Sequence, residues 1–302
     1  MDDKTADALR KWKEHRYRPT DLPFGEAVDS LFTSEPLIEV RRSETRKTDW
    51  VICRAGTTTP ALFVFAGVFS ESDPYETGNL VPVKTAIPAG LDSTRVANHA
   101  GYKAAYSYAL DTFHDKNMWE YQGTLDTHMS TVPGFNARGL KRREWQNGST
   151  WHVRYWLRVP MFLTCETRAG RPEPPAGLHE WVVNAHNRTK NYRANPIRPI
   201  VCGLENGRLQ DIAKCTPNVL EYGDVVSLVF SLAYVEDRED WGPVPMVTHI
   251  IRVQHANREA YPLAAAFVIE EPLLDASGLC FGAVVDGEYP LLERKCDVER
   301  RR

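Results

Sequence analysis

The sequence has no long hydrophobic run. The longest, residues 61–69, holds nine residues, whereas a membrane-spanning helix needs about 20. The amino-terminal residues are acidic and polar, without the apolar segment of a secretory signal. We therefore expect an intracellular protein, nuclear or cytoplasmic and not secreted, that has no membrane partner.

Catalytic and metal-binding motifs are also absent. The six cysteines are scattered, and no two have the C-x2-C spacing of a zinc knuckle or a redox site. The patterns G-x-S-x-G, G-x-x-x-x-G-K-[ST], G-x-G-x-x-G and H-E-x-x-H do not occur. These absences leave no catalytic residue, metal ligand or cofactor to assign, so they favour a non-catalytic protein over an enzyme.

The sequence has little net charge but distributes it unevenly. A formal charge of −3 gives no global attraction to nucleic acid or to an acidic membrane. Residues 135–200, however, contain two lysines and ten arginines against four glutamates, a net charge of +8. Residues 201–302 carry a net charge of −7. Any attraction to a polyanion must therefore come from the local basic stretch.

The basic stretch is also rich in aromatic residues. Cations that track phosphates, interleaved with rings that stack on bases, are typical of single-strand binding. We predict that single-stranded DNA or RNA is the partner. The phosphate contacts are assigned to Arg142, Arg143, Arg154, Arg158, Arg188 and Arg193, and the stacking contacts to Trp145, Trp156 and Tyr192.

The segment 151–159 alternates bulky and charged residues, as a half-buried strand does. On such a strand Val153, Tyr155 and Leu157 share one face. Arg154, Trp156 and Arg158 share the other, which places a tryptophan between two arginines on the solvent side.

Three alternatives remain open. The arginines could be neutralised inside the fold by the acidic carboxy-terminal third, with Trp156 packed under a loop. They could instead bind an acidic protein partner in a structural or protein–protein module. A third alternative is an enzyme whose site is assembled from dispersed acids and histidines, namely His114, His128, His179, His249 and His255.

The predicted fold class is α+β, with an antiparallel sheet or a partly closed, OB-like barrel. The periodicity predicts a packed helix at about 95–113 and a hairpin of two long strands, 225–235 and 246–253, around an acidic loop. We divide the chain into a helical arm (1–20), an α+β lobe (21–134) and a β-rich lobe (135–302), although one fused domain is also possible.

Residues 198–253 resemble a segment of uncharacterised fungal open reading frames. The resemblance rests on Arg198-Pro199-Ile200-Val201-Cys202-Gly203, Asn206-Gly207, Asp211-Ile212, Pro217, Gly223-Asp224-Val225-Val226 and Thr248-His249-Ile250-Ile251-Arg252-Val253. It covers under a fifth of the chain and implies no activity. The strand pattern is also similar to that of small barrels, including the OB type, whose surface binds single-stranded nucleic acid.

Overall fold

The computed structural model describes residues 1, 3–43, 47–143, 153–164, 173–205 and 208–256. These ranges contain four α-helices: α1 (Asp3–Lys13), α2 (Phe24–Asp29), α3 (Asn117–Thr131) and α4 (Glu180–Arg188). The strands are β1 (Leu22–Pro23), β2 (Ile38–Arg42), β3 (Asp49–Arg54), β4 (Phe63–Ser72), β5 (Ala105–Asp111), β6 (Lys141–Arg142), β7 (Arg154–Pro160), β8 (Phe162–Thr164), β9 (Tyr192–Ala194), β10 (Ile200–Glu205), β11 (Arg208–Asp211), β12 (Val225–Glu236) and β13 (Asp240–Gln254).

Eleven of these strands form one mixed, mostly antiparallel sheet, which confirms the α+β class. Its main path runs β11-β10-β13-β12-β4-β5-β7, and β8 and β9 form a separate pair. The Cα atoms of β13 and β7 come within 8 Å of each other, so the sheet curves. The described strands form no closed barrel, and the body is a curved, mostly antiparallel sheet.

The predicted long hairpin is confirmed, with a shorter loop than expected. Strand β12 pairs with β13 from the Val225–Gln254 pair to the Glu236–Trp241 pair. The segment around Pro243 and Pro245, which the sequence suggested was loop, is therefore strand. Proline is tolerated there because, among the described strands, the outer edge of β13 pairs with β6 at 240–241 and with β10 at 249–252 but with neither at 243–245.

The predicted helix at about 95–113 is wrong. A 3-10 turn spans Ser93–Arg95, and β5 follows at Ala105–Asp111 between β4 and β7. Large and small residues alternate along β5, and all but the last are buried. Pairing on both edges makes the strand more stable here than the helix that the alanine and tyrosine spacing suggested.

The core lies between the sheet and the amino-terminal helices. Helix α1 packs on β4 and β12, and α2 packs on β4 and α3. Phe24, at the start of α2, makes edge-to-face contacts with the rings of Phe63 and Phe230, each at a centroid distance of 5.2 Å. Such pairs add about 0.5–1.5 kcal/mol each to the stability gained by burial. No described helix combines the length and apolarity needed to cross a membrane.

A buried polar network joins α3 to the sheet. Asp126 Oδ1 accepts hydrogen bonds from Tyr234 Oη and Gln122 Nε2, both at 2.8 Å. Its Oδ2 accepts one from Arg142 Nε at 2.6 Å, and Tyr155 Oη donates to Gln122 Oε1 at 3.2 Å. Because Gln122 and Tyr234 are buried, removing Asp126 takes a hydrogen-bond acceptor from donors that water cannot easily reach.

We expect Asp126→Ala to lower the free energy of unfolding by about 2–3 kcal/mol, the cost of orphaned buried donors. Urea denaturation followed by circular dichroism measures the effect. Glu239→Ala, which removes a carboxylate from the exposed tip of the β12–β13 hairpin, should change stability by less than about 0.5 kcal/mol. Equal effects of the two variants would contradict the importance of the network.

Candidate nucleic-acid interface

Strand β7 has the two faces that its sequence predicted. Tyr155 and Leu157 are buried, whereas Trp156 is half-buried and Arg158 is exposed. Across the ladder, Trp156 lies opposite Ala109 of β5, and Arg158 lies opposite Ser107. Residues this small leave room for the large side chains of β7. The alternation therefore presents arginine and tryptophan to one surface.

The Ser93–Arg95 turn and the loop that leads from it to β5 each add one residue to this surface, Arg95 and Tyr102 respectively. The Arg95 guanidinium lies over the Trp156 ring, with its Cζ atom 4.0 Å from the centroid. Arg95 Nη2 is 2.9 Å from Oδ1 of the buried Asp73. Tyr102, on the same loop, is 79% exposed. Neither Arg95 nor Tyr102 was predicted, because they lie far from the basic stretch in sequence and inside a segment expected to be helical.

A buried side chain, that of Asn79, ties both ends of this loop together. Asn79 Nδ2 donates to the carbonyl oxygens of Arg95 (2.7 Å) and Lys103 (3.0 Å), and its Oδ1 accepts from the amide of Ala105 (2.8 Å). Asn79 is 2% exposed. Its three bonds join both ends of the 95–105 segment to one point, which fixes the position of the loop relative to β7.

The surface forms a groove between β7 and the beginning of β13. Its volume is about 280 Å³, and its lining contains no aspartate or glutamate among the described residues. It brings together three of the predicted residues, Arg143, Trp156 and Arg158, with the unpredicted Tyr102. The remaining lining residues are Ala105, Pro160, Pro243, Val244 and Pro245. We call it the β7 groove.

Several of the predicted arginines are paired with carboxylates. Arg142 pairs with Asp126 at 2.6 Å, Arg143 pairs with Asp240 at 2.8 Å, and Arg154 pairs with Glu71. Only Asp240 belongs to the acidic carboxy-terminal third. These pairs reduce the positive charge that the three side chains offer to a ligand.

Arg158 differs from these arginines. Its Nη2 donates to the carbonyl oxygen of Lys103 at 3.3 Å, and no carboxylate of a described residue lies within ion-pair distance of it. Desolvation in the groove and, after it, the nearby Arg95 lower the pKa of the Arg158 guanidinium, while Asp73 opposes them. Asp73 forms its ion pair with Arg95, and the neighbouring Arg158 therefore adds an excess of positive charge beside Trp156 within the described residues.

The other predicted site residues lie outside the β7 groove. Arg188 is exposed at the end of α4, and Tyr192 and Arg193 are half-buried on β9. Trp145 lies outside the described residues. The basic residues of 135–200, which are close together in sequence, therefore lie on separate surfaces of the fold.

The histidines of the enzyme alternative have separate environments. His249 is buried in β13, where desolvation lowers its pKa to about 3. His255 Nε2 is 2.8 Å from Glu221, and His179 Nδ1 accepts a hydrogen bond from the amide of Trp181 at the start of α4. The described ranges contain no group of three or more His, Cys, Asp or Glu residues that could hold a metal ion.

Comparison with solved structures shows remote similarities, two of which are described here. No protein-family model and no curated protein sequence matches the chain. The single-stranded DNA-binding protein gp2.5 encoded by bacteriophage T7 is similar with a TM-score of 0.33 and 11% identity, over 70% of this chain and 95% of that one. The single-stranded DNA-binding protein from bacteriophage Enc34 gives 0.31 and 10%, over 76% and 94%. Similarity this low establishes neither a shared fold nor a shared ligand.

The role of Asn79 can be tested by its removal. Asn79→Ala should lower the free energy of unfolding by about 1–3 kcal/mol, because the buried amide of Ala105 and two part-buried carbonyl groups lose their partner. It should also raise the amide exchange rates of residues 96–104, measured by hydrogen exchange. Asn98→Ala removes one exposed side chain, bonded to Val81 O at 3.0 Å, from the same loop and should cost less than about 1 kcal/mol. Unchanged exchange in Asn79→Ala would argue against the clamp.

Proposed function

We propose that this chain binds single-stranded nucleic acid through the β7 groove. The observation that carries the proposal is Arg158, a cation with no carboxylate partner among the described residues, set beside the rings of Trp156 and Tyr102. A guanidinium binds phosphate oxygens in a planar, bidentate manner. The rings offer faces on which bases stack. The groove thus offers a cation for the phosphate of a nucleotide and an aromatic ring for its base.

The size of the groove favours a single strand over a large compact ligand. Its volume of about 280 Å³ lies just below the roughly 300–1,000 Å³ of sites that enclose drug-sized molecules, and is suited to a planar base. Bases in a duplex are stacked on one another and cannot reach Trp156 or Tyr102. A protein of net charge −3 must also hold its ligand by local contacts, so stacking should supply a substantial share of the affinity.

An acidic protein partner would use the same arginines but would gain little from the rings. The contributions of Arg158 and Tyr102 to oligonucleotide binding therefore separate the two candidates. A partner held by charge alone would be insensitive to the loss of Tyr102.

Arg158→Gln should weaken binding of a labelled single-stranded oligonucleotide and reduce its salt dependence. Each phosphate contact contributes about 0.7 to the slope of log K against log salt concentration for single strands, so the slope should fall by about 0.7. Fluorescence anisotropy between about 50 and 200 mM salt measures it. The matched control is Arg208→Gln, the same charge change on exposed β11 at the opposite edge of the sheet, which should leave both affinity and slope unchanged.

Tyr102→Ala should weaken the same complex by about 1–3 kcal/mol, the contribution of one stacked base, without changing the salt slope. The side chain is almost fully exposed, so thermal unfolding should be unaffected. A wild-type protein that binds no oligonucleotide at low salt, or a Tyr102→Ala variant that binds as well as wild type, would count against the proposal.

A further inference from the structure

A second groove lies on the other side of the loop that carries Tyr102. It has a volume of about 430 Å³ and runs between the end of α4 and the segments around residues 80–83 and 98–100. Arg188 and Lys190 line it together with the half-buried ring of Trp181. We call it the α4 groove. Like the β7 groove, it places cationic side chains beside an aromatic ring. Different helices, strands and loops form its walls.

The charge of the α4 groove is available to a ligand. Arg188 and Lys190 are both exposed, and no ion pair joins either of them to a described residue. The lining contains no aspartate or glutamate within the described part of the chain. Among the described lining residues, the only other ionisable side chain is His99, which carries no negative charge. A phosphate in this groove would meet positive charge without competition from a carboxylate.

The two grooves share the 98–102 loop as a common wall. Asn98, His99 and Ala100 line the α4 groove, and Tyr102 lines the β7 groove. Two residues of extended chain span at most about 7 Å, so Ala100 and Tyr102 place the grooves side by side. The Asn79 bonds to Arg95, Lys103 and Ala105 hold this wall at both ends. The hydrogen bonds of the buried Asn79 side chain therefore help to set the spacing between the grooves.

We propose that one single strand occupies both grooves. This inference rests on the proposed function of the β7 groove and extends its footprint. A strand seated against Trp156, Tyr102 and Arg158 continues over the 98–102 loop and enters the α4 groove, where Arg188 and Lys190 contact its phosphates. The α4 groove is thus a second subsite for the same polymer, and only a strand long enough to cross the loop reaches it.

Strand length provides the test. We would measure the binding of labelled oligonucleotides of about 4 and about 16 nucleotides, which span the range of single-strand site sizes, to wild type and to the Arg188→Gln/Lys190→Gln double variant. The double variant should bind the long strand more weakly, with a salt slope smaller by about 1.4, two phosphate contacts at about 0.7 each. Its affinity for the short strand should equal that of wild type. Oligo-dT and oligo-U arms show whether DNA or RNA is preferred.

Two controls isolate the second subsite. Arg158→Gln, in the β7 groove, should weaken both strand lengths. Arg208→Gln/Lys214→Gln removes two exposed cations near the opposite edge of the sheet and should weaken neither. All four substituted residues of the two double variants are exposed, so circular dichroism and thermal unfolding should match wild type.

The outcomes separate this inference from the proposed function. If Arg188→Gln/Lys190→Gln leaves long-strand binding unchanged while Arg158→Gln weakens it, the second subsite is wrong and the β7 groove stands. If the double variant weakens short and long strands equally, the two grooves do not form a track. If wild type binds neither length at low salt, both proposals fail.

Discussion

The fold depends on the burial of one strand along nearly its whole length. Strand β12 pairs with β13 on one edge, and on the other with β4 over Val225–Phe230 and then with β3 over Ala233–Val235. Of its twelve residues only Val235 is not fully buried. Because a strand satisfied on both edges cannot shift its register without breaking several ladders, β12 fixes where β13 begins and thereby where the β7 groove has its second wall.

The elements that follow from local periodicity could be predicted from the sequence. The β12–β13 hairpin and the outward face of β7 were identified from the sequence. A strand with one buried face alternates apolar and polar residues with a period of two, whichever elements pack against it. The prolines of β13 misled the prediction of the loop length. Their compatibility with a strand depends on an edge that no described strand pairs with at 243–245. No local pattern in the sequence reveals which edge of a strand stays unpaired.

The arrangement of the site could not be predicted, because it depends on contacts between residues distant in sequence. Arg154 pairs with Glu71 and Arg142 with Asp126. Arg158, which looked equivalent in sequence, has no carboxylate within ion-pair distance among the residues that the structure describes. Tyr102 reaches the groove only because β5 is a strand and Asn79 holds the preceding loop. Tertiary pairing here outweighed the local helical pattern, a common outcome for short apolar segments.

The stack of Arg95 on Trp156 makes the two faces of the indole ring unequal. Asp73 anchors the guanidinium from below the surface, so one face of the ring is already occupied by a planar cation, 4.0 Å away. Only the opposite face of the indole then stays available for a further planar contact. The indole is already ordered by its cation partner, and a pre-ordered ring loses less rotational freedom in such a contact than one that turns freely in solvent.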